Sequence, residues 1–481
     1  TTGSDGVYQF SGLYEGQYYI KVQNSQFAGG GELNGFVSST DIATSAADNV
    51  TDNDDNGVAM GIVGAADYMV MSPVFTLTAG TEPTGLAEGG PGGTQDDVQD
   101  SNGDMTQDFG FYPTLSLGST VWVDNMAGLN ATDNDGIQNN GETGLAGVTV
   151  QLFSIGPDGV KGTADDVQIN VGPDGMLGTA DDAAGGMLTN AMGNYYFSNL
   201  APGRYYVVLP SSNFASAGAA AAYQLSSTPT DTNDNNEDSD DNGAQMSGPG
   251  GMIMSPVIEL SAGTEPVGET GQGGAQDNAD DDNGDMTVDF GLIPMMSVGS
   301  TVFADNLAGV NATDNNGMQD AGEPGISGVA MELWNVGPDG VKGTGDDVKI
   351  EAGPDGILGT ADDGTGDELT DANGNYFFSG IPEGVYYVKI QTSQFAVGSA
   401  LAATPLSSEV VQANADGNAD SDNNGVQMGG QGGMVMSNPF TLEATTEPTV
   451  EPGQGGTQDN NHPYADANGN MTIDFGFVPA V

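Results

Sequence analysis

An internal repeat of 181 residues limits the fold of this chain more than any other feature of its sequence. The segment Leu-Gly-Ser-Thr-Val-Trp-Val-Asp at 117–124 recurs as Val-Gly-Ser-Thr-Val-Phe-Ala-Asp at 298–305, so that Ser119 corresponds to Ser300. A closing motif, Met-Thr-x-Asp-Phe-Gly, occurs three times, at 105–110, 286–291 and 471–476. Repetition at this length indicates tandem domains, each large enough to bury a core of its own.

The repeat markers divide the chain into three units, which we call unit 1 (1–113), unit 2 (114–294) and unit 3 (295–481). Unit 1 is incomplete, because its first residues align with the middle of unit 3, from Gly374 to Ile381. It therefore lacks the opening strands of a full unit, and a half sandwich exposes apolar faces and unpaired edges. We expect the missing strands to come from upstream sequence or from a neighbouring subunit.

Short runs with a period of two predict β-strands throughout the units. In 386–391, Tyr386, Val388 and Ile390 share one face, and Tyr387, Lys389 and Gln391 share the other. Copies of this pattern lie at 18–23 and 205–210, and two further alternating runs begin at 148 and 329. Turn residues separate the runs, and no window shows a persuasive helical period. The predicted fold class is all-β, with tandem sandwiches that carry long acidic loops.

The charge balance excludes several classes of partner. The chain has 6 Lys and Arg against 67 Asp and Glu, a formal net charge of -61, which would repel nucleic acid and anionic membranes. It contains no Cys, which excludes disulfides and thiolate zinc sites. No apolar stretch approaches the roughly 20 residues that span a bilayer. Cations are the expected counterparts, and a salt-adapted surface is the alternative.

One acidic loop follows the EF-hand spacing, in which calcium takes six to eight oxygen ligands around a glycine turn. Position 1 of the pattern is Ala131 or Ala312, so Asp124 or Asp305, upstream across an inserted loop, is the candidate for that place. A solvated turn without metal is the alternative. The candidate ligands, including a backbone carbonyl at position 7, are Asp124, Asp133, Asp135, Ile137, Asn139 and Glu142 in unit 2, and Asp305, Asp314, Asn316, Met318, Asp320 and Glu323 in unit 3.

A second motif, Asp-Gly-x-x-Gly-Thr-x-Asp-Asp, occurs twice in each full unit. Adjacent like charges repel, and a divalent ion would hold them in one turn. A phosphate-binding loop is excluded, because the required Gly-Lys-Thr reads Lys161-Gly162-Thr163. The candidate metal ligands are Asp158, Asp165, Asp166, Asp174, Asp181 and Asp182 in unit 2, and Asp339, Asp346, Asp347, Asp355, Asp362 and Asp363 in unit 3.

Two more acidic clusters occur in all three units. The third, Asp-x-Asp-x-Asn-Gly, is a candidate metal site at Asp52 and Asp54, Asp238 and Asp240, and Asp420 and Asp422. The fourth immediately precedes the closing motif and contains Asn-Gly, which is a strong turn signal. For the fourth cluster, a plain turn and a metal site remain equally open.

The order of these motifs resembles the SdrD B-like domain. That resemblance implies a calcium-binding, transthyretin-like sandwich, repeated in bacterial surface proteins and acting as a rigid, calcium-dependent spacer. Related Cna B-type domains often carry a Lys to Asn isopeptide crosslink. The opening strand at 115–124 contains no Lys, and Lys21 and Lys389 correspond to Val208, so a repeated crosslink is not expected.

Three functions remain open from the sequence. The leading one is a structural component of an extracellular fibre, stalk or surface appendage, with Ca²⁺ stiffening the tandem repeats and with neighbouring repeats or identical subunits as partners. The second is a filament subunit completed by strands of another chain. The third is an adhesin for a cell-surface or matrix ligand. An enzyme is not expected, because the single histidine, His462, lies in an insertion absent from the other units.

Overall fold

The computed structural model describes most of the chain as short strands separated by long connections. The described residues are 1–4, 6–39, 54–61, 63, 66–84, 101–125, 134–182, 186–215, 217–227, 237–269, 282–306, 315–409, 420–449, 451 and 466–479. They contain no α-helix, only single 3-10 turns at Asn24–Gln26, Ser211–Phe214, Thr392–Phe395 and Asp466–Asn468. Within the same residues, no helix is long and apolar enough to cross a membrane.

Unit 1 forms three small sheets. Its strands are β1 (Gly16–Tyr18), β2 (Lys21–Val22), β3 (Phe36–Ser38), β4 (Val58–Met60), β5 (Met69–Met71), β6 (Phe75–Leu77) and β7 (Phe111–Pro113). The sheets pair β1 with β6, β3 with β7, and β2 with β5 and β4. Its fully buried core is correspondingly small, with Val37, Tyr68 and Val70 at the centre.

Unit 2 is a sandwich of a seven-stranded and a five-stranded sheet. Its strands are β8 (Leu115–Val123), β9 (Thr149–Ser154), β10 (Val167–Ile169), β11 (Met187–Leu188), β12 (Asn194–Leu200), β13 (Gly203–Leu209), β14 (Leu225–Ser226), β15 (Ala244–Gln245), β16 (Ile253–Met254), β17 (Ile258–Leu260), β18 (Gly284–Asp285) and β19 (Phe290–Ile293). The larger sheet runs β10-β9-β13-β16-β15, with β11 on β9 and β17 on β13. The smaller sheet runs β12-β8-β19-β14, with β18 on β8.

Unit 3 repeats this architecture strand for strand. Its strands are β20 (Met296–Ala304), β21 (Ala330–Asn335), β22 (Val348–Ile350), β23 (Glu368–Leu369), β24 (Asn375–Ile381), β25 (Gly384–Ile390), β26 (Leu406–Ser407), β27 (Val426–Gln427), β28 (Val435–Met436), β29 (Phe440–Leu442), β30 (Gly469–Asn470) and β31 (Phe475–Val478). The seven-stranded sheet is β22-β21-β25-β28-β27 with β23 and β29 attached, and the five-stranded sheet is β24-β20-β31-β26 with β30 attached.

The opening strand organises each full unit. β8 is buried along its whole length and pairs with β12 on one side and with the closing strand β19 on the other. The pairing of β8 with β19 is parallel, as is that of β20 with β31, whereas the pairs of the seven-stranded sheets are antiparallel. The first and last strands of a unit therefore lie side by side, and residues that follow the opening strand meet residues that flank the closing one.

The predicted all-β sandwich is confirmed, and so are the alternating faces in the full units. Tyr386, Val388 and Ile390 are buried on the core side of β25, and the runs that begin at Val148 and Val329 are buried in the same way. The copy at 18–23 differs, because it is broken into β1 and β2. In unit 2 the equivalent strand, β13, also pairs along β9, a pairing that has no counterpart among the described residues of unit 1.

The start of unit 1 differs from its counterpart in unit 3. Residues 7–13 form no strand, whereas the equivalent β24 of unit 3 pairs with β20. Phe10 is 62% exposed, and its counterpart Phe378 is 2% exposed. An apolar side chain that the fold normally buries is thus left at the surface. The source of the missing strands stays a prediction.

Candidate metal sites

The acidic loop with the EF-hand spacing, called the EF-like loop from here on, ends at Glu142 in unit 2 and at Glu323 in unit 3. An aspartate holds it against the end of the opening strand. Asp124 follows β8 directly and is fully buried. Its Oδ2 accepts a hydrogen bond from the backbone N of Gly136 at 2.9 Å, and its carbonyl accepts one from the N of Asn134 at 3.2 Å. In unit 3, Asp305 Oδ2 accepts from Gly317 N at 2.7 Å. Each loop therefore closes on the aspartate that the sequence nominated for the first position of the pattern.

Two carboxylates in this loop carry buried oxygens that lack a hydrogen-bond donor. Within the described residues, Asp124 Oδ1 and Glu142 Oε1 are buried without a hydrogen-bond partner, and so is Asp305 Oδ1 in unit 3. Glu142 uses its other oxygen, Oε2, to accept from Asn139 N at 2.8 Å. An oxygen buried without a partner is costly for a carboxylate. The side of each group that receives no donor is the side on which a cation would bind.

The electrostatics of the loop lead to the same conclusion. Burial raises the pKa of Asp124, and the nearby carboxyl of Asp135 raises it further. Burial also raises the pKa of Glu142 to about 7, with Asp124 and Asp135 as further causes. A bound cation would reverse both effects, because it favours the charged form of each carboxyl group. The donor set is all oxygen, which suits a hard cation such as Ca²⁺.

Two positions of the loop exchange residue type between units. Asp135 and Asn139 occupy them in unit 2, whereas Asn316 and Asp320 occupy them in unit 3. In both units the amide donates to the carboxylate, from Asn139 Nδ2 to Asp135 Oδ1 at 3.1 Å and from Asn316 Nδ2 to Asp320 Oδ2 at 2.9 Å. Each loop thus keeps one negative charge and one amide at this place, although the order is reversed.

The third cluster lies directly beside the EF-like loop, although it is distant in sequence. Ile137 forms a β-bridge with Asp240, and Met318 forms one with Asp422. The N of Gln138 donates to the carbonyl of Ser239 at 2.7 Å. Two clusters that the sequence analysis treated separately therefore form one acidic region in each full unit.

Burial also shifts the acids of the third cluster. It raises the pKa of Asp238 and Asp420, and that of Asp422 to about 6. In the described part of unit 3, Asp420 Oδ1 is a further buried oxygen without a hydrogen-bond partner. In unit 1, Asp54 Oδ1 accepts from Asn56 Nδ2 at 3.3 Å. The remaining candidates of these two motifs, Asp52, Asp133 and Asp314, lie outside the described residues.

The loops that carry the second motif, Asp-Gly-x-x-Gly-Thr-x-Asp-Asp, are called the Asp-Gly loops. Their carboxylates accept hydrogen bonds from donors within the same loop. Asp166 Oδ2 accepts from the N of Gly162 at 2.7 Å and from the N of Thr163 at 3.0 Å, and Thr163 Oγ1 donates to Asp165 Oδ1 at 2.5 Å. The N of Gly156 also donates to Asp166 Oδ1 at 2.8 Å, and this bond lowers the pKa of Asp166 most, while the Thr163 hydroxyl lowers that of Asp165. Backbone donors can therefore hold the acidic pair in one turn without an ion.

A metal ion remains compatible with one of these loops. Asp339, Asp346 and Asp347 each offer a carboxylate oxygen, and these oxygens lie within 4.8 Å of one another. The same motif positions in the other loops are Asp158 with Asp165 and Asp166, Asp174 with Asp181 and Asp182, and Asp355 with Asp362 and Asp363. Calcium binding at the Asp-Gly loops stays a prediction.

Each first Asp-Gly loop is fastened to the seven-stranded sheet by residues that the sequence analysis did not single out. Tyr387 OH donates to Asp347 Oδ2 at 2.7 Å, and Tyr206 OH donates to Asp166 Oδ2 at 2.9 Å. Lys342 Nζ donates to the carbonyl of Ser437 at 2.7 Å. Both full units have a tyrosine at this outward-facing strand position, Tyr206 and Tyr387, and that repetition was the sequence signal from which the contact could have been predicted.

The aspartate of the closing motif is a structural residue that the sequence analysis used only as a repeat marker. Asp474 is fully buried, and its carboxylate accepts from Ser300 Oγ at 2.6 Å, Thr301 N at 3.1 Å and Ser421 N at 2.8 Å. Asp289 makes the equivalent bonds to backbone N groups in unit 2. Burial raises the pKa of both groups well above the usual range. They connect the opening strand, the closing strand and the third cluster.

The fourth cluster is better explained as a turn. Asp285 Oδ1 accepts from Thr287 N at 3.0 Å and from Thr287 Oγ1 at 2.7 Å. Asn470 makes the same two bonds in unit 3, so the turn needs an acceptor oxygen and no charge.

Asp241 of the third cluster gives a testable pH dependence, because unit 3 has asparagine at the same place. Asp241 Oδ1 accepts from Gly243 N at 2.8 Å, and Oδ2 accepts from two serine hydroxyls. The Nδ2 of its counterpart, Asn423, donates to the carbonyl of Ser408 at 2.9 Å. Burial raises the pKa of Asp241 to about 7 from 3.8. The fold therefore prefers an uncharged group here.

Asp241→Asn is expected to stabilise unit 2 in chelator by on the order of 4 kcal/mol above pH 7. This gain in unfolding free energy should shrink as the pH falls from 7. It should vanish near pH 4, where Asp241 of the parent is protonated in the fold and takes up a proton in the unfolded chain as well. Urea unfolding of parent and variant across this pH range measures the difference. Asn423→Asp is the reciprocal variant and should destabilise unit 3 above pH 7. A pH-independent difference would mean that Asp241 is charged in the fold.

The class of the protein follows from the fold and from the loops at the ends of its opening strands. It is a protein of tandem all-β sandwiches whose loops carry many carboxylate and amide oxygens. No family model matches the chain. It is 26% identical over 295 residues to serine-aspartate repeat-containing protein F of Staphylococcus epidermidis, covering 61% of this chain and 12% of that protein. It is 29% identical over 321 residues to serine-aspartate repeat-containing protein E of Staphylococcus aureus, covering 64% and 19%.

Its homologues are thus the serine-aspartate repeat surface proteins of staphylococci, and the predicted resemblance to the SdrD B-like domain is confirmed. The expected extracellular or cell-surface location is also confirmed. The chain spans between 10% and 20% of the length of the curated relatives that it matches.

Solved structures with similarity include a streptococcal ancillary pilin and the shaft pilin SpaA of Lactobacillus rhamnosus GG. The first has 11% identity and a TM-score of 0.23, covering 76% of this chain and 62% of that chain. The second has 9% identity and a TM-score of 0.17, covering 76% and 98%. Similarity at this level supports no argument about function.

Proposed function

We propose that this chain is a structural segment of a bacterial surface appendage, and that calcium bound at the EF-like loops stabilises its repeated sandwiches. The observation that carries the proposal is the set of buried carboxylate oxygens without a donor, Asp124 Oδ1, Glu142 Oε1 and Asp305 Oδ1. A folded domain tolerates such atoms when a bound ion completes them. The relatives, which are surface proteins, support the location of such a segment.

The residues that would hold the ion are the buried aspartate after the opening strand, the glutamate at the end of the loop, and the Asp and Asn pair between them. Calcium would neutralise these carboxylates and keep the loop closed on the strand end. Because the loop also contacts the third cluster through Ile137 and Asp240, ion binding at one place would order both segments. The sandwich itself would then resist unfolding more strongly.

The size of the effect follows from linkage. Extracellular modules bind calcium with dissociation constants of roughly 10⁻⁴ to 10⁻³ M. Millimolar calcium would then add about 1 to 2 kcal/mol of stability per site at the tighter end of that range. Two full units would each gain this amount independently.

Chelation tests the proposal on the whole chain. We expect a chelator to lower the melting temperature and to broaden the distance distribution seen by small-angle X-ray scattering, and added calcium to restore both. Magnesium at the same concentration is the control for general charge screening. Unchanged melting temperature and unchanged scattering after chelation would reject the proposal.

A second candidate function is assembly through strand addition at unit 1. Phe10 is exposed whereas its counterpart Phe378 is buried, so a strand from upstream sequence or from another chain has a surface to cover here. A strand from another chain would pair with residues 7–13 through backbone hydrogen bonds and cover Phe10. Negative-stain imaging of the purified chain distinguishes the candidates, because regular single-component filaments support assembly and isolated rods contradict it.

Ligand binding has no comparable support in the part of the chain that the structure describes. One relative, with 28% identity over 338 residues, is named bone sialoprotein-binding protein, and the chain spans 20% of it. A role as an adhesin for a cell-surface or matrix ligand therefore stays a hypothesis.

A further inference from the structure

The duplication of the Asp-Gly loop within each full unit has no explanation in metal binding alone. The first copy is fastened to its own sheet by Tyr206 or Tyr387. We propose that the second copy, at 174–182 and 355–363, is the docking element through which each unit contacts the unit before it. The partner is thus the preceding sandwich of the same chain.

The second loop is held rigidly enough to serve as a contact surface. In unit 3, Leu358 N donates to the carbonyl of Ser379 at 2.9 Å, and Ser379 N donates to the carbonyl of Gly356 at 2.9 Å. In unit 2, Leu177 N donates to the carbonyl of Ser198 at 3.1 Å. The loop therefore lies along the edge strand of the five-stranded sheet, β12 or β24, and covers that edge.

Units 2 and 3 meet at a glycine of this loop. An added Cβ at Gly359 would lie 3.0 Å from Gly248 Cα and 3.3 Å from Pro249 Cδ, both in unit 2. An added Cβ at Gly248 would lie 2.7 Å from the carbonyl oxygen of Gly359. Gly359 also has a φ of +91°, which side chains rarely adopt. The two backbones approach so closely that neither position accommodates a side chain without displacement.

Units 1 and 2 meet at the same place. Gly178 is the equivalent of Gly359 one repeat earlier, with a φ of +88°, and an added Cβ there would lie 3.4 Å from Val63 Cγ2 of unit 1. Val63 lies in the connection between β4 and β5, and Gly248 lies in the corresponding connection between β15 and β16. Two separate junctions therefore use the same loop and the same facing connection.

Further contacts extend the junction between units 2 and 3. Asn125 Nδ2, next to the EF-like loop of unit 2, donates to Glu383 Oε2 of unit 3. A cavity of about 690 Å³ lies beside the glycine contact, with Met246 and Pro249 of unit 2 and Ile357 of unit 3 in its lining. The contact is thus part of a wider interface between the units.

The first Asp-Gly loop provides a matched control within the same unit. Gly343 has the same motif position as Gly359 and a φ of +81°, but an added Cβ would have no atom within 4 Å. Asparagine tolerates this backbone region better than other side chains. Gly343→Asn should therefore carry the same local strain as Gly359→Asn without touching unit 2.

The inference does not depend on calcium, since backbone donors shape the loop. Gly359 N donates to Asp363 Oδ2 at 2.7 Å, and Thr360 Oγ1 donates to Asp362 Oδ1 at 2.5 Å. A failure of the calcium proposal would leave the junction in place, and a failure of the junction would leave calcium binding in place.

Spin-label distances across the junction test the inference. The chain has no Cys, so Met192→Cys and Val397→Cys place one label in unit 2 and one in unit 3 at exposed positions. We expect a narrow distance distribution in the parent and with Gly343→Asn, and a distribution at least twice as wide with Gly359→Asn. All measurements use the full chain in millimolar calcium, and circular dichroism melting confirms that each variant is folded.

Two outcomes would overturn the inference. One is a Gly359→Asn distribution as narrow as that of the parent. The other is equal broadening by Gly343→Asn and Gly359→Asn, which would show that any disturbance of an Asp-Gly loop loosens the chain and that contact with the preceding unit is not the cause.

Discussion

Replacing Asp124 and Asp305 together with asparagine is expected to reverse the effect of calcium on thermal stability. In calcium the double variant should melt at a lower temperature than the parent, because each site loses a carboxylate ligand and with it about 1 to 2 kcal/mol of unfolding free energy per unit. In chelator the order should invert, because asparagine removes a buried negative charge that no cation then offsets. Asparagine keeps the acceptor oxygen for Gly136 N and Gly317 N. Differential scanning calorimetry in both buffers measures the crossing.

Asp371→Asn is the matched control for that variant. Asp371 Oδ1 accepts from Asn373 N at 2.7 Å and Asn375 N at 2.9 Å, and in unit 2 the equivalent residue is already an asparagine, Asn190, with the same bonds. It removes one negative charge from an exposed turn and should leave the response to calcium unchanged. If the double variant kept the full calcium-dependent gain of the parent, the two aspartates would not be ligands.

Asp474→Ala is expected to cost unit 3 about 3 kcal/mol or more of unfolding free energy. The substitution leaves the backbone N–H of Thr301, the backbone N–H of Ser421 and the hydroxyl of Ser300 without their acceptor inside a closed core. It also releases the third cluster from the closing strand. Urea unfolding measures the loss, and the transition of unit 2 in the same chain serves as the internal reference.

A contrasting variant separates the hydrogen-bond network from simple loss of charge. Asp474→Asn keeps an oxygen for Ser300 and Thr301 and should cost less than Asp474→Ala, because only the bond to Ser421 N is lost. Equal and small effects of both substitutions would show that the buried aspartate contributes little, and would contradict the structural role assigned to the closing motif.

The strands were predictable because their evidence is local. Alternation in 386–391 depends only on which side chains face the core, and burial of Tyr386, Val388 and Ile390 follows that rule. The break between β1 and β2 was not predictable from the same pattern. The equivalent strands β13 and β25 carry the same pattern without a break, so the break does not follow from the local pattern.

The acidic region was predictable in its parts and not in its assembly. The spacing of Asp135, Asn139 and Glu142 identified one loop, and the third cluster was recognised separately. Their contact depends on the parallel pairing of β8 with β19, which brings the two ends of a unit together. The role of Asp474 was missed for the same reason, since its three donors come from segments far apart in sequence.

The Asp-Gly loops show where an argument from charge alone is incomplete. Crowded carboxylates suggested an ion, because like charges repel in one turn. The structure supplies another source of stabilisation, since backbone N–H groups and threonine hydroxyls point at Asp165 and Asp166. Their directions depend on left-handed glycines such as Gly162, whose φ is +81°. A charge count does not contain that information.

A crystal structure of the chain grown in calcium, with anomalous diffraction data collected at a long X-ray wavelength, is the most direct test of calcium binding at the EF-like loops. We predict one anomalous peak between Asp124 and Glu142 and an equivalent peak between Asp305 and Glu323, each bound to six to eight oxygens at 2.3 to 2.6 Å as is usual for calcium. Well-ordered loops with only water at both places would contradict the account.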